Sequence, residues 1–334
     1  MEFEPLVSVI MCTNRPIPQW RLLLDGLEKQ DFKDFEVVIV DGLYDVRRRE
    51  VNKILSDYAI TVIYVKDKPW FHSEQVQSGK RPGIASARNT GIIHASGRLL
   101  VIMDDNTQVP SDWLSRHVNA FRAGFDGMAG LQHRIYDSEG LRKYGEHFFV
   151  NGRRPDGRCI PCIVQGKICY HVRPGPLTTI KDYRGDYSKD EIVAPDYDTG
   201  SHISYNILPD GWLYCCNASV RTECLLKING FPEEFCGEMG SEDSFVGICL
   251  KRINARLVLD KKSYIIHHSG VAHQDFNDWF IFTNKESMLM DGKMHFSNEK
   301  FVEDLLVKEK GRFRNNPHFD LREMRTKKLK ELCG

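Results

Sequence analysis

The sequence Asp104-Asp105-Asn106 has the residue types of a metal site, because two carboxylates and an amide follow five apolar residues. Oxygen ligands of this kind suit Mg²⁺ and Mn²⁺, which usually keep waters and substrate phosphates as their remaining ligands. The chain has no P-loop and no phosphate-binding GxGxxG motif. We therefore expect a bound diphosphate to be held by the metal, by backbone N–H groups and by an arginine such as Arg88. The simpler interpretation is that Asp and Asn are ordinary turn residues here.

Strands and helices alternate over the first 125 residues. Apolar runs predict strands at 7–12, 36–40, 61–65 and 99–103. Helical spacing of apolar residues, or a run of small residues, predicts helices at 20–27, 51–58, 83–93 and 110–125. This alternation indicates βαβ units and a mainly parallel sheet flanked by helices.

Polar residues end three of these predicted strands. They are Thr13, Asp41 and the pair Asp104-Asp105. In parallel sheets, ligands bind outside the carboxyl ends of the strands, so these side chains should meet at one edge. The alternative is that strand ends are polar only because they meet solvent.

A second acidic pair, Glu242-Asp243, precedes the apolar run at 245–250. Ser241 and this pair predict an N-cap and the first turn of a helix. The helix dipole favours ionised carboxylates there, and an ionised carboxylate can act as a general base. The alternative is that both acidic residues only complement the helix dipole.

Seven segments resemble, in order, the family 2 glycosyltransferases. They are residues 7–16, 38–42, 83–91, 101–106, 216–221, 228–234 and 240–245. The resemblance covers roughly residues 6–125 and 210–270. It implies the GT-A fold, which is α/β and Rossmann-like, and a nucleotide-sugar donor that is usually UDP-linked.

The resemblance also implies roles for residues near the donor. Thr13, Asn14 and Arg15 would lie near the nucleoside. Asp41 would contact the base or the ribose, and Arg88 would lie near the donor. Many family members carry a second Asp where this chain has Gly42.

By the same resemblance, Asp104 would contact the ribose or the sugar and Asp105 would bind the metal, with Asp104 as a second candidate ligand. A histidine, His267 or His268, could complete the coordination of Mn²⁺ or Mg²⁺. The alternative for these histidines is a strand end where they are only solvated or hydrogen-bonded. The cofactor expected is therefore Mn²⁺ or Mg²⁺, and histidine suits Mn²⁺ better.

Asp243 would be the catalytic base, with Glu242 beside it. One carboxylate is sufficient for a single displacement, which inverts the anomeric centre, whereas a double displacement would need a second carboxylate as nucleophile. The metal would neutralise the negative charge that grows on the departing diphosphate.

We expect a GT-A domain at 1–270 and a C-terminal helical extension at 271–334. The domain divides into a donor half at 1–130, an inserted loop region at 133–210 and an acceptor and base segment at 211–270. Long insertions of this kind are commonly binding loops, so the insertion is expected to determine acceptor specificity. The basic tail predicts a charged helix packed on the domain, and the alternative is weak contact with a membrane surface or nucleic acid.

The insertion carries a composition typical of zinc sites, with Cys159, Cys162, Cys169 and His171. The spacing to the third cysteine is short and no second CxxC follows. Thiols without a metal are therefore the favoured interpretation.

Composition excludes several classes of protein. Hydrophobic residues make up 41% and charged residues 28% of the 334, which excludes a disordered or collagen-like chain. Lys plus Arg and Asp plus Glu number 46 each, so no basic field covers the whole molecule. No apolar run reaches the ~18 residues of a membrane span and the first residues are acidic, so we expect a cytoplasmic protein, with peripheral membrane contact as an alternative.

The function expected is inverting transfer of a sugar, in the first place from a UDP-sugar, to a hydroxyl of a saccharide or glycoconjugate. The alternatives are transfer to nucleic acid, a nucleotidyltransferase on a similar sheet, and a non-catalytic module that binds sugar nucleotides. A nucleotidyltransferase usually has a Gly-rich phosphate loop near its N-terminus, and Thr13-Asn-Arg-Pro16 is not one. Sugar, linkage and oligomeric state do not follow from the sequence.

Overall fold

The computed structural model of the chain describes residues 5–14, 20–68, 83–135, 162–164, 167–169, 184–186, 205–207, 213, 215–233, 242–268 and 319–333. Arg15, Ser241, Cys159 and His171 lie outside the described residues, as does most of the predicted extension. No helix in the described part of the chain is long and apolar enough to cross a membrane.

Twelve strands and seven helices are described. The strands are β1 (Val7–Thr13), β2 (Phe35–Asp41), β3 (Val62–Lys66), β4 (Leu99–Asp104), β5 (Thr107–Gln108), β6 (Gly127–Ile135), β7 (Cys162–Val164), β8 (Lys167–Cys169), β9 (Arg184–Asp186), β10 (Tyr205–Ile207), β11 (Asn217–Arg221) and β12 (Leu257–His268). The helices are α1 (Trp20–Glu28), α2 (Tyr44–Leu55), α3 (Ile84–His94), α4 (Trp113–Arg122), α5 (Thr222–Lys227), α6 (Glu242–Arg252) and α7 (Leu321–Cys333).

The first four strands form a parallel sheet in the order β3-β2-β1-β4. In its register Thr13 lies opposite Asp41, and Cys12 lies opposite Asp104. The carboxyl ends of β1, β2 and β4 therefore meet at one edge, which confirms that prediction at the level of the backbone.

Both faces of this sheet are covered. Ile10 and Cys12 of β1 belong to one buried cluster with α3, while Val9 and Met11 belong to another cluster with α1 and α4. Side chains alternate between the two faces of a strand, so a strand buried on both faces is apolar throughout. This explains why continuous apolar runs marked these strands in the sequence.

The rest of the sheet is mixed. β11 runs antiparallel between β4 and β6, and β12 runs parallel to β6. The end of β12 also pairs with β5, which places His267 opposite Thr107 and close to the acidic turn at Asp105. Within the insertion, the β7–β8 hairpin places Cys162 opposite Cys169, and the zinc site itself stays a prediction.

Two helix boundaries differ from the prediction. α2 begins at Tyr44, seven residues before the predicted start, and α4 ends at Arg122, so Phe125 does not belong to it. Gly124 has φ +87°, a left-handed conformation that ends helices and that glycine adopts at low cost. The glycine therefore separates Phe125 from the helix although the apolar spacing continues.

α7 packs back on the domain, as expected for the charged tail. Leu321 is fully buried in the cluster that includes α3. Arg325 donates from Nε to the carbonyl of Ala95 (2.9 Å) and from Nη2 to the carbonyl of Ser96 (3.1 Å), just beyond the C-terminus of α3. A cation at this end is favourable because helix carbonyls there lack partners and carry partial negative charge.

A buried polar group joins α4 to β11. Trp113 Nε1 donates to Asn217 Oδ1 (2.9 Å), and His117 Nε2 lies 3.2 Å from the same oxygen. Burial lowers the pKa of His117 to about 3, although its hydrogen bond to Asn217 opposes the shift. His117 is therefore a neutral donor in the folded protein at any pH above that value.

This predicts a loss of stability in acid. The unfolded chain protonates His117 near pH 6.5, whereas the folded protein does so only near pH 3, so unfolding takes up a proton between these values. Stability should fall by about 1.4 kcal/mol per pH unit from this group alone as pH decreases through that window. In His117→Gln, the free energy of unfolding, measured in urea from pH 7 to pH 4, should decrease less steeply with falling pH than in the wild type.

His94→Gln provides the control, because burial lowers the pKa of the half-buried His94 as well but leaves the side chain partly in water. In His94→Gln, the slope of the unfolding free energy against pH should differ less from the wild-type slope than it does in His117→Gln. An unchanged slope in His117→Gln would contradict the prediction.

Candidate functional site

Asp41 lies at the end of β2 and is completely buried. Arg47 of α2 donates to both of its carboxylate oxygens, each at 2.7 Å. Tyr64 Oη donates to Oδ2 (2.6 Å), and the backbone N–H of Leu43 donates to Oδ1 (2.8 Å). These four donors match the four acceptor positions of a carboxylate. Asp41 is therefore a buried carboxylate that fixes the positions of Arg47 and Tyr64 through hydrogen bonds and an ion pair.

The sequence analysis did not identify Arg47 or Tyr64. Arg47 is the first of three consecutive arginines, and the sequence does not distinguish the buried one from its two exposed neighbours. Burial and the hydrogen bond to Asp41 raise the pKa of Tyr64, so its hydroxyl stays a donor at neutral pH.

Thr13 connects this network to the acidic turn. Its hydroxyl donates to Asp105 Oδ2 (2.7 Å), and Arg47 Nη2 lies 3.5 Å from the same hydroxyl oxygen. Asp41, Thr13 and Asp105 thus form one connected set of polar side chains, as the sequence predicted. Asn14 follows Thr13 and is exposed at the same edge.

The acidic turn follows β4. Asp104 is half-buried, Asp105 and Asn106 are buried, and Thr107 Oγ1 donates to the carbonyl of Asp104 (2.8 Å). In the described part of the chain, no group of three or more His, Cys, Asp or Glu side chains could hold a metal ion. Asp104 and Asp105 supply carboxylate oxygens, which fit Mg²⁺ or Mn²⁺ if a substrate diphosphate and waters supply the other ligands. The side chains of His267 and His268 are not among those described, so their ligation stays a prediction.

Glu242 and Arg88 form a buried ion pair across the site. Arg88 Nη1 donates to Glu242 Oε1, and both side chains are about 95% buried, at 6% and 5% exposure. Burial alone lowers the pKa of Arg88, but its interactions with acidic groups outweigh burial and raise the pKa above its ordinary value. These groups are the thiol of Cys215 and the carboxyl groups of Glu242, Asp243 and Asp104. Burial raises the pKa of the Cys215 thiol well above 9, so the carboxylates carry the negative charge that keeps Arg88 ionised.

Asp243 differs from Glu242 in its surroundings. It lies in the first turn of α6, is half-buried, and accepts a hydrogen bond from the backbone N–H of Cys215 at Oδ2 (3.3 Å). Glu242 is 4% exposed and pairs with Arg88. Of the two predicted catalytic carboxylates, Asp243 is therefore the one that solvent, and hence a substrate, reaches.

The acidic turn and the base segment share neighbours. Arg88 lies in the electrostatic field of Asp104 as well as that of Asp243. The buried thiol of Cys12 likewise lies in the fields of Arg88, Asp104 and Asp105. Asp104 of the predicted metal site and the predicted base Asp243 thus both interact electrostatically with Arg88.

A family model described as "Glycosyl transferase family 2" matches residues 8–174, which is half of the chain. The chain belongs to this family. No curated protein sequence matches it.

Three solved structures are similar to this family 2 chain. One is S. aureus TarS 1–349 in complex with UDP-GlcNAc, with a TM-score of 0.50, 14% identity and coverage of 80% of this chain and 59% of that one. Another is GalNAc-T7 with UDP, GalNAc and Mn²⁺, with a TM-score of 0.50, 12% identity and coverage of 81% and 45%. A third is the mannosyltransferase PcManGT from Pyrobaculum calidifontis in complex with GDP-Man and Mn²⁺, with a TM-score of 0.46, 18% identity and coverage of 83% and 60%.

The predicted family and its α/β GT-A fold are confirmed by these matches. The chain spans 45% to 60% of the length of the three solved structures. At sequence identities this low, similarity to a solved structure is evidence about the fold alone.

The buried Asp41–Arg47 pair leads to a prediction about stability. Arg47→Met leaves a buried carboxylate without its cation and should cost about 3–5 kcal/mol of unfolding free energy. Arg322→Met removes the cation of the exposed pair with Glu223 and should cost at most about 1 kcal/mol. Chemical denaturation of both variants provides the comparison.

Asp41→Asn combined with Arg47→Met should recover part of the loss, because the unpaired buried charge is then removed. Equal stability of Arg47→Met and Arg322→Met would show that the buried pair does not have this role.

Proposed function

We propose that the protein is a metal-dependent inverting glycosyltransferase. It transfers a sugar from a nucleotide-sugar to a hydroxyl of a saccharide or glycoconjugate. UDP-sugars are the expected class of donor. The observation that carries the proposal is that Arg88, which is paired with Glu242, interacts electrostatically with both Asp104 of the acidic turn and the half-buried Asp243. One cation therefore serves the predicted donor side and the predicted base, as one shared site would require.

Asp105 and Asp104 are the residues that would hold Mn²⁺ or Mg²⁺. When bound, the ion supplies Lewis-acid stabilisation of the charge that develops on the leaving diphosphate. The hydrogen bond from Thr13 to Asp105 orients one carboxylate oxygen, and orientation of a ligand by its neighbours strengthens metal sites.

Asp243 would accept the proton of the acceptor hydroxyl as that oxygen attacks the anomeric carbon. Its place in the first turn of α6 favours the ionised form, because the partial positive charge of the helix N-terminus lies beside it. Burial of Glu242 in its pair with Arg88 leaves this residue poorly suited to serve as a nucleophile. A single displacement with inversion is therefore the mechanism that these two carboxylates support.

Two solved structures with the same fold guide the choice of donor. The TarS structure is a complex with UDP-GlcNAc, and the GalNAc-T7 structure is a complex with UDP, GalNAc and Mn²⁺. UDP-sugars with Mn²⁺ are therefore the first donors to test. Transfer to nucleic acid, nucleotidyl transfer and non-catalytic binding are alternative outcomes of the same tests, and a cytoplasmic location with peripheral membrane contact stays a prediction from the sequence.

Donor binding should stabilise the protein in a metal-dependent manner. A thermal-shift panel of UDP-, GDP-, TDP- and ADP-sugars is measured with Mn²⁺, with Mg²⁺ and with EDTA. A donor at 100 times its Kd should stabilise the wild type by about 2.7 kcal/mol. Asp105→Asn should remove the dependence on metal, and a panel without any shift in the wild type would contradict the proposal.

Replacement of the base should separate binding from turnover. Asp243→Asn should bind the donor normally and lose turnover by about 10²-fold or more, because general base catalysis contributes at least that much. Asp112→Asn changes another acidic residue next to a helix N-terminus, one that pairs with Arg116 of its own helix, and should leave turnover unchanged. Release of UDP from the donor identified in the panel is measured for both variants. Near-normal turnover by Asp243→Asn would remove Asp243 from the mechanism.

A further inference from the structure

Two neighbouring residues of α3 contact the described residues on either side of 234–241, which lie outside the described part of the chain. Asn89 donates from Nδ2 to the carbonyl of Phe231 (2.8 Å), and the N–H of Phe231 donates back to Asn89 Oδ1 (2.8 Å). Arg88, the residue before Asn89, forms the ion pair with Glu242. Consecutive positions of one helix thus hold the backbone of residue 231 and the side chain of residue 242.

The contact at Asn89 is close and completely buried. Asn89 has no solvent exposure, and Gly230 has φ +76°. A Cβ at Gly230 would lie 2.3 Å from Asn89 Oδ1, so a larger residue would displace the asparagine. Both the left-handed turn and the close approach require glycine here.

An ion pair reinforces this attachment. Lys68, which follows β3, lies with Nζ 2.5 Å from Glu233 Oε1, and Asn89 Nδ2 donates to the same oxygen (2.9 Å). The side chains of Lys68 and Glu233 are 9% and 2% exposed. A buried pair of this kind stabilises little by itself, but it restricts the geometries that its two partners can adopt.

α3 is also held closely against the sheet. Gly91 lies so near β1 that a Cβ there would be 2.4 Å from Ile10 Cγ2. β1 ends at Thr13, which donates to Asp105. A continuous set of contacts therefore runs from the acidic turn through β1 and α3 to the start of α6.

We propose that Asn89 is a positioning residue for the general base, and that α3 sets the distance between the metal-binding carboxylates and Asp243. The proposal rests on the function proposed above for Asp105 and Asp243. Asn89 contacts neither donor nor acceptor in this role. It fastens α3 to Phe231 and Glu233, and Arg88 of the same helix pairs with Glu242, the residue before Asp243.

Asn89→Ala tests the proposal, with Asn229→Gly as the matched control. Asn229 also makes two hydrogen bonds to backbone, with Phe319 O (2.7 Å) and Leu321 N (2.8 Å), but these hold α7 and not α6. Its φ of 64° lets glycine replace it without strain. Both variants lose two or more hydrogen bonds, so their melting temperatures should fall by similar amounts.

Turnover should distinguish the two variants. For the UDP-sugar that gives the largest thermal shift with Mn²⁺, kcat should fall by about 10²-fold in Asn89→Ala, because small displacements of a reacting group cost that much. KM for the donor, and the rise in melting temperature caused by UDP with Mn²⁺, should each change by less than about threefold, since the acidic turn is intact. Asn229→Gly should keep kcat within about twofold. An unchanged kcat in Asn89→Ala, or equal losses in the two variants, would overturn the proposal.

Hydrogen exchange gives a readout that does not depend on turnover. Backbone amides at residues 245–247 in α6 should exchange about tenfold faster in Asn89→Ala than in the wild type, and at the wild-type rate in Asn229→Gly. If Asn89→Ala does not fold, Glu233→Gln removes the charge of Glu233 at constant size and should show both effects in milder form. If no donor binds the wild type, the proposed function fails, while the exchange rates still decide whether Asn89 positions α6. Unchanged exchange rates in both Asn89→Ala and Glu233→Gln would refute the positioning role.

Discussion

The ion pair between Arg88 and Glu242 is the interaction on which the candidate site depends. Both groups are withdrawn from water, which costs several kcal/mol for each ion before their attraction offsets it. Arg88 belongs to α3 and Glu242 begins α6, so the two charges attract each other strongly only when α6 begins close to α3. The same guanidinium lies in the fields of Asp104 and Asp243, so it also reduces the repulsion between acidic groups that must lie near each other. Removing the cation would leave Glu242 as a buried carboxylate without a partner cation from Arg88.

A second buried cation has the same role at the end of β2. Arg47 neutralises Asp41. It also contacts the hydroxyl of Thr13, and this hydroxyl orients Asp105 through a hydrogen bond. Each half of the site thus contains one buried arginine that is paired with one buried carboxylate. Asp104 and Asp243 are the half-buried carboxylates of the two acidic pairs, whereas Asp105 and Glu242 are buried.

Sequence reasoning succeeded where burial produces a periodic pattern. Strands β1, β2 and β4 are covered on both faces, so their apolar runs were visible without an alignment, and the polar residues that ended them marked one edge of the sheet. It failed at the start of α2, where Arg47 lies among polar residues before the first apolar position of the predicted helix. The short β7–β10 strands of the insertion were also not predicted, because three-residue strands carry too little pattern to detect.

The sequence by itself determined the parallel half of the sheet, the edge where its polar residues gather and the family, because these follow from local hydrophobic pattern and from motif order. Tertiary structure alone decided which charged residues are partners. Arg47 with Asp41, Arg88 with Glu242 and Lys68 with Glu233 are joined by folding, and in two of these pairs more than 150 residues separate the partners. A charge in a sequence does not show whether it will be solvated or paired, since that depends on which elements exclude water around it.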